Sequence, residues 1–457
     1  MSIAVLQHVG KICASVLTGP AIVAGLTAAM AQPPGTHAFT LDRDAEVVAS
    51  ITAGCARCDW GVAGREAAAL TVSVDDTYSQ HLLLARGERP ATYRVMLGFL
   101  RAGAHHLQIE RDAKRSAAGA GAVTFASIDI RSFAADAPEF PWLSRAPVLR
   151  ARPGSVEKFS DAPLVMYAEQ DVPGESGSRY QYQYTVIFTN EDGGTPTDRL
   201  MATWGRTTDI EFVYGITAAS GGAPSRDEIQ AAGHKWIPFG GSRFGTHPVL
   251  WVATENNMVA DHGPEESIRF APAPEMVALN RVSREAVIDE RPWTYAVSSA
   301  EMVREGRIDP SAAAGSGRIP DPRRYATVEG CGEVHDATLA FDIGVRRAGH
   351  DVEWYPTDRG DPRFRIARGG CFRGGAPLPD GTSPSEIVDL RIRAYTRPPR
   401  EGETALPPGT GRVVLQRINR VFMLDRSFVP ALSPLNWEGT LAVPSDAAPV
   451  AVPLARH

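Results

Sequence analysis

The stretch Arg179-Tyr-Gln-Tyr-Gln-Tyr-Thr-Val-Ile-Phe188 alternates between two kinds of side chain: the even positions are aromatic or apolar, and the odd positions are polar except for Ile187. A period of two is typical of a β-strand with one buried face and one face toward water. The apolar face continues through the end of the stretch. We therefore expect the tyrosines to belong mainly to a hydrophobic core, and not to a sugar-binding surface; they are Tyr180, Tyr182 and Tyr184.

Two further strand patterns follow this stretch. A Gly- and Asp-rich turn over residues 190–196 precedes a second strand pattern, and a third strand is predicted over residues 209–216. In the third strand the apolar residues at 210, 212 and 214 share a face, which leaves Asp209 and Glu211 on the opposite one. Polar strand faces are usually solvated, so we expect both carboxylates to face water or to pair with Arg206 and Arg243. Buried together, one of them should instead have a raised pKa and serve as a general acid or base.

The segment Arg206-Thr-Thr-Asp-Ile-Glu-Phe-Val-Tyr214 resembles the strand motif of the necrosis-inducing toxin family and of related vacuolar-sorting-like domains, in which His-Asp-Trp-Glu or Gly-Asp-Trp-Glu opens a strand. Residues 247–257 resemble the strand that follows in those domains. The resemblance implies that Asp209 and Glu211 bind a divalent metal beside a glycolipid site. Thr208 and Ile210 replace the histidine and the tryptophan of the motif, so one expected ligand is absent.

The missing ligands of such a metal site have two candidates. Asp261 and His262 follow the second resembling segment, and a loop after a buried strand can fold across the end of a neighbouring strand. Oxygen ligands favour calcium or magnesium, and His262 would admit zinc or manganese. The predicted metal site therefore consists of Asp209, Glu211, Asp261 and His262, with one divalent cation as its cofactor.

The first 31 residues read as a signal peptide: Lys11 precedes an apolar run, and Ala29-Met30-Ala31 forms a small-x-small cleavage site. No later segment is apolar enough to cross a bilayer. Cleavage removes Lys11 and no acid, so the net charge changes from −6 to −7. Such a chain lacks the basic face that nucleic-acid binding requires. We expect an exported protein, periplasmic or extracellular, without a nucleic-acid partner or a transmembrane segment.

Four cysteines remain after cleavage, and an even number in an exported chain indicates two disulfides. Three pairings are open. The short spacing between Cys55 and Cys58 favours a bridge between these two, which leaves Cys331 and Cys371 for the second. Asp59-Trp60-Gly61 reads as a loop and not as the helix that a redox-active Cys-x-x-Cys normally opens.

The whole chain is predicted to be mainly β, with a multidomain β-sandwich or jelly-roll-like architecture and short helices in the linkers. We divide it into a signal peptide (1–31), an N-terminal sandwich (32–150), a central sandwich (151–290), a linker with a short helix at residues 300–306 (291–324) and a C-terminal β domain (325–457). The hairpin pattern over residues 93–109 resembles that of carbohydrate-binding jelly rolls. The N-terminal strand candidates are Leu70–Val74, His81–Leu84, Thr92–Leu97 and His105–Glu110.

A ligand surface is expected in the Gly-rich loop of residues 234–244, because aromatic side chains in flexible loops often serve binding. Its candidate residues are Trp236, Phe239 and Arg243. The leading functional hypothesis is recognition of a carbohydrate or glycolipid at the cell envelope. The alternatives are a metal-dependent hydrolase or toxin-like domain that uses Asp209 and Glu211, and a structural or adhesion subunit. The sequence contains no established catalytic motif.

Overall fold

Extended strands dominate the computed structural model, which describes residues 35–173, 179–217 and 225–456. The predicted signal peptide lies outside these ranges. The strands are β1 Thr36–Leu41, β2 Ala45–Cys55, β3 Ala69–Val74, β4 Thr77–Leu83, β5 Ala91–Leu100, β6 Gly103–Asp112, β7 Val123–Ala134, β8 Val148–Arg150, β9 Pro163–Pro173, β10 Arg179–Phe188, β11 Asp209–Thr217, β12 Asp227–Ala231, β13 Lys235–Pro238, β14 Arg243–Phe244, β15 His247–Val252, β16 Val259–Ala260, β17 Arg269–Phe270, β18 Glu275–Met276, β19 Tyr325–His335, β20 Ala337–Val345, β21 Glu353–Pro356, β22 Gly370–Pro377, β23 Ile387–Thr396, β24 Arg412–Leu424, β25 Pro430–Leu432, β26 Leu435–Pro444, β27 Val450–Ala451 and β28 Ala455–Arg456. The mainly β prediction is confirmed.

The helices are short, and two of them differ from the expectation. They are α1 Phe140–Leu143, α2 Thr197–Trp204, α3 Ala286–Asp289 and α4 Pro292–Arg304. The strand expected directly after the turn at 190–196 is helix α2, which begins after Pro196 and ends at Trp204, where Gly205 follows in a left-handed conformation. Helix α4 begins eight residues before the predicted start, with a proline in its first turn. None of the helices in the described ranges combines the length and apolar character that a membrane crossing requires.

Two sheets of the N-terminal region pack on one core. Their strand orders are β1-β6-β3-β4 and β5-β2-β7. Each of the four predicted strands lies within or overlaps an observed one, and β1, β2 and β7 are additional. Side chains from both sheets, such as Val48 and Leu70, share a hydrophobic cluster with Tyr184 and Val186 of the central region. One continuous core therefore joins the N-terminal sandwich to the central sheet.

The central region has a six-stranded sheet, β13-β12-β11-β10-β9-β18, and a smaller one, β14-β15-β8-β17, with β16 paired to β15. The tyrosine row of β10 is buried, which confirms the core prediction. The register between β10 and β11 shifts next to Val213, which forms a bulge. Ile210 consequently packs with Ile187 in a second cluster, whereas Tyr214 packs with Tyr184 in the first. The expectation that the apolar residues of this strand share one face is therefore wrong.

The C-terminal region also contains two sheets, β22-β19-β24-β26-β28, with β25 paired to β24, and β21-β20-β23-β27. Their facing side chains form a separate hydrophobic cluster. Cys331 and Cys371 lie opposite each other on β19 and β22 and are bonded. The second disulfide joins Cys55 to Cys58. Both predicted pairings are confirmed.

Charged side chains are buried where helices α3 and α4 meet the C-terminal sheet. The guanidinium of Arg373 is fully buried and lies 2.6 Å from Glu329 Oε2 and 2.5 Å from Asp289 Oδ2. Arg420, which is partly exposed, reaches both carboxylates. Although burial alone would raise the pKa of Glu329, the two arginines lower it below its usual value. This junction is consequently held by paired charges as well as by apolar contacts.

Candidate functional site

A groove of about 740 Å³ runs along one face of the six-stranded central sheet. Its floor and walls come from β9, β10, β11 and β13, and residues 276–280 close one side. The side chains that bear on its chemistry are Glu169, Gln170, Gln183, Phe212, Trp236 and Asn280. Three paired strands carry most of them, so the groove rests on a rigid support. Its volume lies within the range of about 300–1,000 Å³ that is usual for ligand pockets.

Trp236 forms the aromatic wall of this groove. Its ring packs on that of Tyr180, with centroids 5.0 Å apart and planes tilted by 37°. Tyr180 is itself buried and donates a hydrogen bond to Glu228 Oε2 at 3.1 Å. Gly215 makes room for this arrangement, because a Cβ there would lie 2.9 Å from the Tyr180 ring. The indole of Trp236 is thereby fixed while part of it remains exposed in the groove.

Two polar side chains stand next to each other on the floor. Glu169 of β9 lies directly across from Gln183 of β10. Within the described ranges, neither the carboxylate nor the amide forms a hydrogen bond or ion pair with another residue, although Gln183 is only 6% exposed. Burial raises the pKa of Glu169 to about 7, and Arg284 opposes this shift. The floor therefore offers a carboxyl group and an amide whose hydrogen-bonding capacity is available to a ligand or to water.

Asp209 and Glu211 are both buried, so the expectation that they face water is wrong. The Asp209 carboxylate accepts a hydrogen bond from Asn257 Nδ2 at 3.0 Å and lies 3.7 Å from the Arg206 guanidinium. Burial, followed by repulsion from Asp209, raises the pKa of Glu211 well above its usual value. As expected for a buried pair, one carboxyl group has a raised pKa and favours its protonated form.

The other two predicted metal ligands form a pair of their own. Asp261 accepts hydrogen bonds from His262 Nδ1 at 2.7 Å and from the amide of Gly240 at 3.0 Å, and the His262 side chain is 91% exposed. Across residues 35–173, 179–217 and 225–456, no hydrogen bond or ion pair joins this pair to Asp209 or Glu211. The same residues contain no group of three or more His, Cys, Asp or Glu side chains placed to hold a metal.

The predicted ligand surface is divided by the structure. Trp236 lines the groove, whereas Arg243 forms an ion pair with Asp227 and lies over the ring of Phe239 at 5.2 Å. Phe239 in turn packs edge-on against Tyr214, at 5.9 Å between centroids. Arg243 and Phe239 therefore brace the loop against the core. Arg243 has Asp227 as its partner, and not Asp209 or Glu211.

No family model and no curated protein matches this chain. The geometry of the groove is thus the main basis for a functional assignment.

The sequence analysis did not predict three of the residues that line the groove: Glu169, Gln183 and Phe212. The polar positions of the alternating stretch were the available signal for Gln183. Glu169 lies in the proline-containing segment 163–173, whose prolines favoured a domain boundary over a strand.

Proposed function

We propose that the groove on the central sheet binds a carbohydrate. The observation that carries this proposal is the combination of a partly exposed indole, that of Trp236, with the unpaired polar groups of Glu169 and Gln183. An aromatic face suits the apolar face of a pyranose ring, and carboxyl and amide groups suit its hydroxyls. Gln170 and Asn280 extend the polar lining, so a chain of more than one sugar would find partners along the groove.

The cellular context agrees with this proposal. Two disulfides are typical of proteins in oxidising compartments, and the predicted signal peptide would send the chain there. A glycan or glycolipid of the cell envelope is therefore the ligand class that we favour, encountered in the periplasm or outside the cell.

The direct test is glycan-array screening of the purified protein, followed by calorimetric titration of the best ligand. Trp236→Ala should weaken binding at least tenfold, because a buried aromatic contact is a frequent hot spot. Trp354→Ala is the matched control: this half-buried tryptophan lies on β21 under Arg391, in the C-terminal region. Circular dichroism and thermal melting should show both variants folded. Binding no stronger than that of an unrelated exported protein, or equal loss in both variants, would contradict the proposal.

Hydrolysis of the bound glycan is a second candidate function, and the carboxyl group of Glu169 favours it. A glycosidase needs a protonated acid next to the scissile bond, and a pKa of about 7 supplies one at neutral pH. Hydrolysis would be established if the protein releases reducing sugar from the glycan and the Glu169→Gln variant binds the glycan without releasing any.

A metal-dependent reaction at Asp209 and Glu211 predicts instead one bound divalent ion that is lost in Asp209→Ala.

A further inference from the structure

A second cavity lies where the N-terminal sandwich meets the central sheet and helix α4. It shares no lining residue with the groove. It has a volume of about 270 Å³. The edge strands β4 and β5 form one wall, the start of β9 forms another, and residues 270–275 with the first turn of α4 complete it. The apolar part of the lining includes Leu83, Val95, Leu164, Val165, Phe270 and Trp293. The interior is therefore suited to an apolar body.

Three guanidinium groups line the same cavity, and two of them are paired. Glu275 forms ion pairs with both Arg94 and Arg291, and Arg291 also lies 3.5 Å from Glu290. These contacts compensate the charges of Arg94 and Arg291. A net positive charge in the lining must therefore come from the third group, the guanidinium of Arg86.

Arg86 has no carboxylate within ion-pair distance among the described residues. Its guanidinium lies 4.6 Å above the ring of Trp293 and donates a hydrogen bond to the carbonyl of Thr92 at 3.4 Å. Burial lowers the pKa of Arg86 because no carboxylate offsets the loss of solvent. A half-buried, uncompensated cation next to an apolar space is costly unless an anion accompanies it.

The hydroxyl of Tyr93 adds a neutral donor beside this cation. Its oxygen accepts a hydrogen bond from the backbone amide of Arg86 at 3.0 Å, and its own hydrogen has no acceptor among the described residues. The cavity thus combines an apolar interior with a guanidinium and a hydroxyl that are neighbours in its lining. A carboxylate is the group that accepts from such a pair.

From this arrangement we infer that the cavity is a second ligand site, which binds a small carboxylate with an apolar body, such as a medium-chain fatty acid. The apolar body occupies the space between β4, β5 and β9, and the carboxylate pairs with Arg86 and Tyr93. The site does not depend on the groove, so it stands whether or not the groove binds a glycan.

The test is calorimetric titration of the purified protein with hexanoate, octanoate, decanoate and 2-naphthoate, with octan-1-ol as the uncharged analogue. At least one of the carboxylates should bind with one-to-one stoichiometry and more tightly than octanol. Arg86→Gln should weaken carboxylate binding about tenfold, since it removes a charge-assisted hydrogen bond, and should leave octanol binding unchanged.

Arg89→Gln is the matched control, because Arg89 is an exposed arginine three residues further along the same connection between β4 and β5. Leu164→Trp, which fills the cavity from its half-buried rim, should abolish binding of every probe, and Trp236→Ala should leave it unchanged. Melting curves should show that each variant is folded. The inference is overturned if no carboxylate binds, if octanol binds as tightly, or if Arg86→Gln and Arg89→Gln behave alike.

Discussion

The two faces of the central sheet are covered in different ways. On one face, side chains of β10 such as Tyr184 and Phe188 belong to the core that continues into the N-terminal sandwich. On the other face, Ile187 belongs to a small cluster that includes residues of α3, α4 and β24. Buried charges lie beside that small cluster: Arg373 donates a hydrogen bond to Tyr295 and lies over the ring of Phe422. Arg206 pairs with Glu285, two residues before Val287.

This difference shows that one strand, β10, can take part in two kinds of packing: an extended apolar core on one face, and a small apolar cluster beside buried ion pairs on the other. Apolar burial is non-directional and tolerates alternative packings, whereas buried ion pairs require one geometry to repay the loss of solvent. We therefore expect the apolar face to supply most of the hydrophobic stabilisation, and the face with the buried charges to restrict how the C-terminal sheet is placed. Glu285 illustrates the second point: although burial would raise its pKa, Arg284 and Arg206 lower it to about 2.

The largest expected effect tests the charged junction. Arg373→Met should lower the free energy of unfolding by about 3–5 kcal/mol, because it leaves the carboxylates of Glu329 and Asp289 buried beside the partly exposed Arg420 alone. Urea denaturation followed by circular dichroism measures the change. Glu438→Gln is the control, since its ion pairs are on the surface and its loss should leave the free energy of unfolding almost unchanged. Equal stability of Arg373→Met and the unmutated protein would show that the junction does not need its charges.

A second, smaller effect compares the two faces directly. Ile187→Ala and Phe188→Ala remove neighbouring, fully buried side chains from opposite faces. Each should cost about 3 kcal/mol of unfolding free energy, because each leaves a cavity in close-packed surroundings. The exposed Leu432 serves as a control, and its change to alanine should cost less than about 0.5 kcal/mol. A much smaller cost at Ile187 would mean that the charged face is loosely packed.

The smallest expected effect concerns pH and the floor of the groove. The pKa of Glu169 is raised to about 7 by burial, from 4.5 in an unfolded chain. The folded state keeps a proton that the unfolded state loses, so the contribution of Glu169 to stability is present below about pH 4.5 and is lost as the pH rises through 7. The Glu169→Gln variant should not show this loss. Its free energy of unfolding, relative to that of the unmutated protein, should therefore be higher at pH 8 than at pH 5 by on the order of 1 kcal/mol.

Denaturation curves at several pH values measure this gain. Gln183→Met alters the uncharged side chain opposite Glu169 and should keep the pH dependence of the unmutated protein. An unchanged pH dependence in Glu169→Gln would show that this carboxyl group is solvated, and it would also weaken the case for acid catalysis in the groove.

Individual residues show which features of the fold could be predicted from the sequence. The period of two in β10 predicted a buried tyrosine row, and short and long cysteine spacings predicted both disulfides; each is confirmed. The same alternation failed in β11, where a bulge at Val213 redistributes the apolar residues between two clusters. A bulge depends on how two strands pair, and one strand's sequence does not contain its partner's register.

The candidate site shows the same division. Trp236 was identified from its loop, but its neighbours in the groove come from β9, β10 and β11, and their approach depends on long-range pairing. Asp209 and Glu211 were identified as a pair, yet their burial follows from segments far along the chain, including Asn257 and Arg284. The sequence by itself indicated several of the strands, including β10, the buried tyrosines and the favoured disulfide pairings, because these follow from spacing and periodicity within the chain. Only the tertiary structure decided which polar groups are buried and which meet in the groove, because burial depends on what distant segments place over each face.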